Sequence, residues 1–149
     1  MSEKTVTAHI TALFLSSGRG TPRSEISEGF FKINHGLEGD SYSGPGDRQV
    51  TLFNLEIRKK VQQDTRDGLC FPRFQETLQI SGILLSKLSV GTRLQIGETL
   101  LEISVLGKKC YPECSIRKEN QVCDLPANAA FARVIAEGLI RKGDSVSIF

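Results

Sequence analysis

Leu88-Ser89-Val90-Gly91-Thr92-Arg93-Leu94-Gln95-Ile96-Gly97, followed after Glu98 by Thr99-Leu100-Leu101-Glu102-Ile103-Ser104-Val105, is the stretch that decides the fold. Apolar and polar side chains alternate through both runs, the period of a strand with one buried face. The two turn residues Gly97 and Glu98, between Ile96 and Thr99, make the runs a hairpin. The segment Ile140-Arg141-Lys142-Gly143-Asp144-Ser145-Val146-Ser147-Ile148-Phe149 echoes the first run, with a glycine turn placed before an alternating strand. Two such units predict a closed or nearly closed barrel in which each strand turns one face inward.

Upstream, Val6–Leu15 alternates and reads as the first strand. The Gly- and Pro-bearing stretch 16–23 reads as a loop. Gly29–Ile33 reads as a second strand, leading into a glycine-rich, irregular stretch over 35–46. Arg48–Phe53 alternates and carries β-branched residues. Asn54 then offers a cap for a helix running to about Asp64, which Gly68 stops. Phe71–Gly82 holds Pro72 and reads as an irregular edge passing into a short strand. No linker or low-complexity stretch divides the 149 residues, so a single domain over 1–149 is expected, mainly β with a few short helices.

Net charge is +2 and aromatic residues make up 7%. The first lacks the basic excess of a dedicated nucleic-acid binder, and the second is too few for a base-stacking platform. No apolar run approaches the ~20 residues of a spanning helix. Alternation between Thr5 and Thr11 is unlike the continuous apolar block of an export signal. A cytoplasmic protein with no nucleic-acid or membrane partner is therefore expected.

In a reducing compartment, clustered thiols tend to be reactive or metal-binding. Cys70, between Leu69 and Phe71, reads as a small apolar side chain. The strongest chemical feature is Gly107-Lys108-Lys109-Cys110-Tyr111-Pro112-Glu113-Cys114, with Cys123 beyond it. A glycine just past a strand lets the chain bend. Two lysines before Cys110 favour its thiolate, the form a nucleophile, a sulfur carrier or a soft-metal ligand requires. Three other readings compete: structural zinc, a regulatory disulfide, and inert loop thiols. For zinc, the Cys-x3-Cys-x8-Cys spacing lacks paired Cys-x2-Cys knuckles, and only His9 and His35 can add an imidazole, so no structural zinc is expected. Arg48 and Arg133 can each fork onto phosphate oxygens or serve as ion-paired strand residues. Asp40 reads as a turn cap, and Glu76 has no evident partner.

Gly36-Leu37-Glu38-Gly39-Asp40, Arg48-Gln49-Val50-Thr51-Leu52, Ser81-Gly82-Ile83, Val90–Gly97, Gly107-Lys108-Lys109-Cys110, Phe131-Ala132-Arg133-Val134 and Lys142-Gly143-Asp144 follow one another in an order that resembles the MOSC domain, named for the C-terminal domain of molybdenum cofactor sulfurases. The resemblance implies a β-barrel likened to the barrel domain of pyruvate kinase, and a small stand-alone bacterial-type member. It implies work with molybdenum cofactor (molybdopterin): sulfur carried on Cys110 as a persulfide, or molybdenum ligated by Cys110. Lys108, Cys114, Cys123, Arg48 and Arg133 are then the cofactor-binding candidates. The implied partners are molybdopterin, a sulfur donor or acceptor protein, and a molybdoenzyme that receives the product. A non-enzymatic module that stores or delivers molybdopterin is the alternative. A molybdenum-dependent reductase of N-hydroxylated compounds is a second, though this chain carries no fused electron-transfer domain. Tyr42, Asp47 and Tyr111 stand where the family often has histidine, and Thr77 where it has asparagine. Fewer imidazoles mean fewer proton carriers, which favours carrying or binding over independent acid–base catalysis.

Overall fold

The computed structural model describes residues 8–18, 23–62, 76–107 and 128–148. Cys70, Lys108, Lys109, Cys110, Tyr111, Cys114 and Cys123, and every expectation placed on them, lie outside the described residues.

The described chain forms β1 (His9–Leu15), β2 (Ser24–Ile26), β3 (Glu28–Lys32), β4 (Gly36–Leu37), β5 (Val50–Asn54), α1 (Leu55–Gln62), β6 (Leu78–Ser81), β7 (Arg93–Ile96), β8 (Thr99–Leu106), β9 (Ala130–Ala136), β10 (Gly138–Arg141) and β11 (Val146–Ile148). Eight strands make one sheet in the order β11-β7-β8-β9-β5-β6-β1-β2, and β10-β3-β4 make a smaller one. The hairpin read from the sequence is β7–β8, paired from Arg93↔Glu102 to Ile96↔Thr99. Its C-terminal echo, β11, pairs directly with β7, Val146 opposite Ile96.

The large sheet curls until its margins meet. On one side β1 pairs with β6. On its other side, the last residues of β1 pair with β2, while its first residues meet the turn before β11. There Ile10 N–H donates to the Asp144 carbonyl at 2.8 Å, Gly143 N–H to Ile10 at 2.8 Å, and Val146 N–H to Ala8 at 3.0 Å. The predicted mainly β barrel is thus the observed architecture.

Alternation decides what fills it. Leu94 and Ile96 of β7, Leu101 and Ile103 of β8, Val50 and Leu52 of β5, Leu78 and Ile80 of β6, and Ile10 and Leu13 of β1 are all buried in one cluster. Burying each such side chain contributes roughly 1.5–3 kcal/mol before conformational entropy is subtracted. Ala130 and Ala132 of β9 belong to the same cluster, short side chains that leave room for the larger ones opposite.

Four local expectations are corrected. The run 88–92 is not strand: a single 3-10 turn, Leu85–Lys87, precedes a turn at Val90 and Gly91, and β7 begins at Arg93. The loop expected over 16–23 is followed by a strand, β2, that no alternation announced. The short strand expected at the close of 71–82 is β6, and it is not at a sheet edge: it lies between β5 and β1, parallel to β5. A parallel neighbour needs a crossover, and α1 is part of that connection. Finally, Asn54 does not direct its carboxamide to the helix: it donates to Ile83 and accepts from Leu85 N–H, clamping the chain beyond β6.

Candidate functional site

The strand directions define two ends. β1 finishes where β5 and β6 begin, whereas β8 finishes and β9 begins at the other end, beside the close of β5. The segment that carries Cys110 departs from this end at Gly107 and returns at Asn128. Gly107 has φ +79°, which glycine adopts without strain, and its N–H donates to the Ala129 carbonyl at 2.7 Å. The bend expected after the strand is therefore present, pinned across the mouth of the segment.

Arg48 precedes β5, at the opposite end of that strand; it is exposed, and its guanidinium reaches along the outer face of β9 to lie 4.5 Å from the centroid of the Phe131 ring. No described carboxylate pairs with it. Nor does a described acceptor take the N–H groups of Gly46, Asp47 or Arg48. A guanidinium stacked on an aromatic face keeps its edge N–H groups available to an anion.

Both neighbours of Arg48 are anchored. The Asp47 carbonyl accepts from the Ser104 hydroxyl, and Ser104 occupies the irregularity in β8 between Ile103 and Val105. The Asp47 carboxylate accepts from Arg133 at 3.1 Å. Gln49 is buried: its Nε2 donates to the Gly46 carbonyl at 2.9 Å and its Oε1 accepts from Val134 N–H at 3.0 Å.

Arg133 is placed at the same corner in a different electrostatic state. It bridges Asp47 and Glu102, each at 3.1 Å, and Glu102 also meets Arg93 at 3.5 Å. The result is a row of alternating charge across β7, β8 and β9. A phosphate reaching Arg133 competes with two carboxylates already in place; one reaching Arg48 does not.

Two further groups, near the end of β1 and the start of β6, are structural. Asp40 does not act as a simple turn cap: its carboxylate accepts from Ser16 N–H and from Arg23, both at 2.8 Å, in an ion pair almost closed to solvent. The Arg23 guanidinium lies 5.0 Å from the Tyr42 ring centroid. Glu76, unpartnered in the sequence, is 3% exposed and accepts from Arg58 at 2.6 Å and from Gln79 at 3.0 Å. His35 meets the Ser43 hydroxyl at 3.0 Å, and Ser43 donates to the Asp40 carbonyl at 2.6 Å.

Sequence reasoning singled out Arg48 and not the residues that hold it. Gln49 and Ser104 stand in alternating runs as ordinary outward-facing polar residues, and nothing in their spacing marks them. Val134, which Gln49 holds, and Asp47, which Ser104 holds, are distant from them in the chain.

No family model matches the sequence, and no curated protein matches it. Among solved structures, the YuaD protein of Bacillus subtilis superposes with a TM-score of 0.69 at 14% identity, covering 95% of this chain and 94% of that one. The fold is of the MOSC type. YiiM of Geobacillus stearothermophilus matches with a TM-score of 0.63 at 15% identity, over 95% of this chain and 75% of its own. YiiM of Escherichia coli gives 0.63 at 20% identity, over 94% and 69%. At these identities the likeness concerns the backbone. The fold supplies the barrel, and the chemistry must be argued from the side chains placed on it.

Proposed function

We propose that this MOSC-type barrel works in molybdenum cofactor metabolism, with Cys110 carrying sulfur as a persulfide or ligating molybdenum, beside an anion site built on Arg48. The observation that carries the proposal is the state of Arg48: exposed, without a described carboxylate partner, and stacked on Phe131 of β9, three residues after Asn128, where the described chain resumes beyond the Cys110 segment. That state suits the phosphate of a pterin cofactor. Bound there, the cofactor would supply a soft metal centre able to accept a thiolate. Lys108 and Lys109 favour the Cys110 thiolate, and Cys114 and Cys123 supply further thiols. In the sulfur-carrying mode the Cys110 thiolate attacks the outer sulfur of a donor persulfide. A new S–S bond forms on Cys110 as the donor's S–S bond breaks and the donor leaves as a thiolate. Arg133 contributes second, after its carboxylates give way.

The test uses the whole protein with purified molybdopterin, followed by fluorescence, and with a persulfide donor, followed by cyanide-released thiocyanate. Cys110→Ser is expected to abolish persulfide formation and leave pterin binding largely intact. Arg48→Ala is expected to weaken pterin binding by ~1–3 kcal/mol, the range for a hydrogen bond to a charged group, and to spare thiol chemistry. A parent protein that neither binds the pterin nor accepts sulfur would overturn the proposal.

A further inference from the structure

The ladder between β5 and β9 ends one step earlier than its register allows. Val50 pairs with Ala132 and Leu52 with Ala130, so continuation would set residue 48 opposite Val134. Thr51 directs its N–H and its carbonyl to Thr77, on the β6 side. Alternation along the strand therefore turns residues 50 and 52 toward β9 for their backbone bonds, and the next bond in that series would join Val134 N–H to the Arg48 carbonyl. In the structure Val134 N–H instead donates to the Gln49 side chain, Oε1, at 3.0 Å. The same carboxamide reaches back to the Gly46 carbonyl at 2.9 Å. A side chain has taken the place of the backbone.

The substitution decides which face Arg48 occupies. Val50 and Leu52 point into the barrel and are fully buried. A strand keeps residues i and i+2 on one face, so an Arg48 held in the ladder would turn its guanidinium into the same core. An unpaired cation there costs several kcal/mol. Arg48 in fact lies over Phe131, whose strand neighbour Ala132 is the inward residue.

We propose that Gln49 is the positioning residue of the anion site: its carboxamide caps Val134, ends the pleat before residue 48, and so releases Arg48 to the outer surface above Phe131. The inference rests on the reading of Arg48 as an anion ligand only for its functional meaning. The geometry can be tested without any ligand.

The test is the NMR signal of the Arg48 Nε–H group, shifted by the Phe131 ring current, in the full-length protein and in Gln49→Leu and Gln49→Asn. The first variant removes every hydrogen bond of the carboxamide, the one to Asn34 Oδ1 included; the second keeps the amide on a stem too short to join Gly46 to Val134, and guards against a misfolded leucine variant. Exchange protection of the Ala132 N–H reports whether the rest of the ladder survives. The expected result is loss of the Arg48 shift with Ala132 still protected. Affinity for inorganic phosphate should fall about tenfold, with no further loss when Gln49→Asn is added to Arg48→Ala, because coupled residues are not additive. An Arg48 signal unchanged in the folded variants overturns the inference. If the parent binds no phosphate while the Arg48 signal still depends on Gln49, the positioning role stands and the anion-site reading fails.

Discussion

Arg48 and Arg133 carry one chemical group at one corner of the barrel, and their neighbours make them unlike. Arg133, between Asp47 and Glu102, has its charge answered already, so Arg133→Ala should weaken phosphate binding less than Arg48→Ala does. Its effect on stability should also be small, about 0–1 kcal/mol by urea midpoint, as for exposed ion pairs. Gly36 makes a sharper case. Its φ is +104°, and a Cβ there would collide with the Gln49 carbonyl. Gly36→Ala should destabilise by about 1–3 kcal/mol, since neither the backbone conformation nor the collision is easily relieved. The sequence made both arginines visible as residue types. Their electrostatic states were not visible, because Asp47 and Arg133 are 86 positions apart and Gln49 and Val134 are 85 apart.

At the scale of elements, alternation was a sound guide where strands are antiparallel and half buried, as in β7 and β8. It misled at β6, where the approach through Glu76, Thr77 and Gln79 looks polar yet is buried. The explanation is α1: Arg58 projects from the helix to Glu76, with its guanidinium 4.7 Å from the Phe53 ring centroid, and Gln79 completes the contacts. Ion pairs of this kind are costly to break from one side. Glu76→Ala should cost about 3–5 kcal/mol, and Arg58→Met with Glu76→Leu together much less, a difference that paired thermal melts would show. Two residues before Arg58, α1 also responds to acid. Burial by itself raises the Glu56 carboxyl. Hydrogen bonds from the Ser81 hydroxyl, its own N–H and Gly82 N–H, with Lys59 nearby, outweigh this and hold it below its ordinary 4.5. A lowered folded value means that the unfolded chain binds the proton first as pH falls. The contribution is complete above 4.5 and fades as pH drops through the folded value. Glu56→Gln should flatten that acid limb in urea midpoints measured against pH.

For the molecule as a whole, the hairpin and its C-terminal echo were enough to expect a barrel, and the fold bears that out through direct pairing of β11 with β7. The sequence did not disclose how the margins join, because closure uses backbone groups of Ala8, Ile10, Gly143, Asp144 and Val146 that any side chains could flank. Closure also fixes when the protein can become itself. β7, β8 and their turn are neighbours in the chain and can find each other within microseconds. The bridge between His9 and Ser145 must wait for almost the entire polypeptide to be gathered in. Non-local topologies of this kind fold in milliseconds to seconds. In pulse-labelled refolding, the amides of Leu101 and Ile96 should therefore gain protection early, and those of Ile10 and Val146 last, so that a ribosome-bound chain lacking its final strand would hold an open, unsealed sheet.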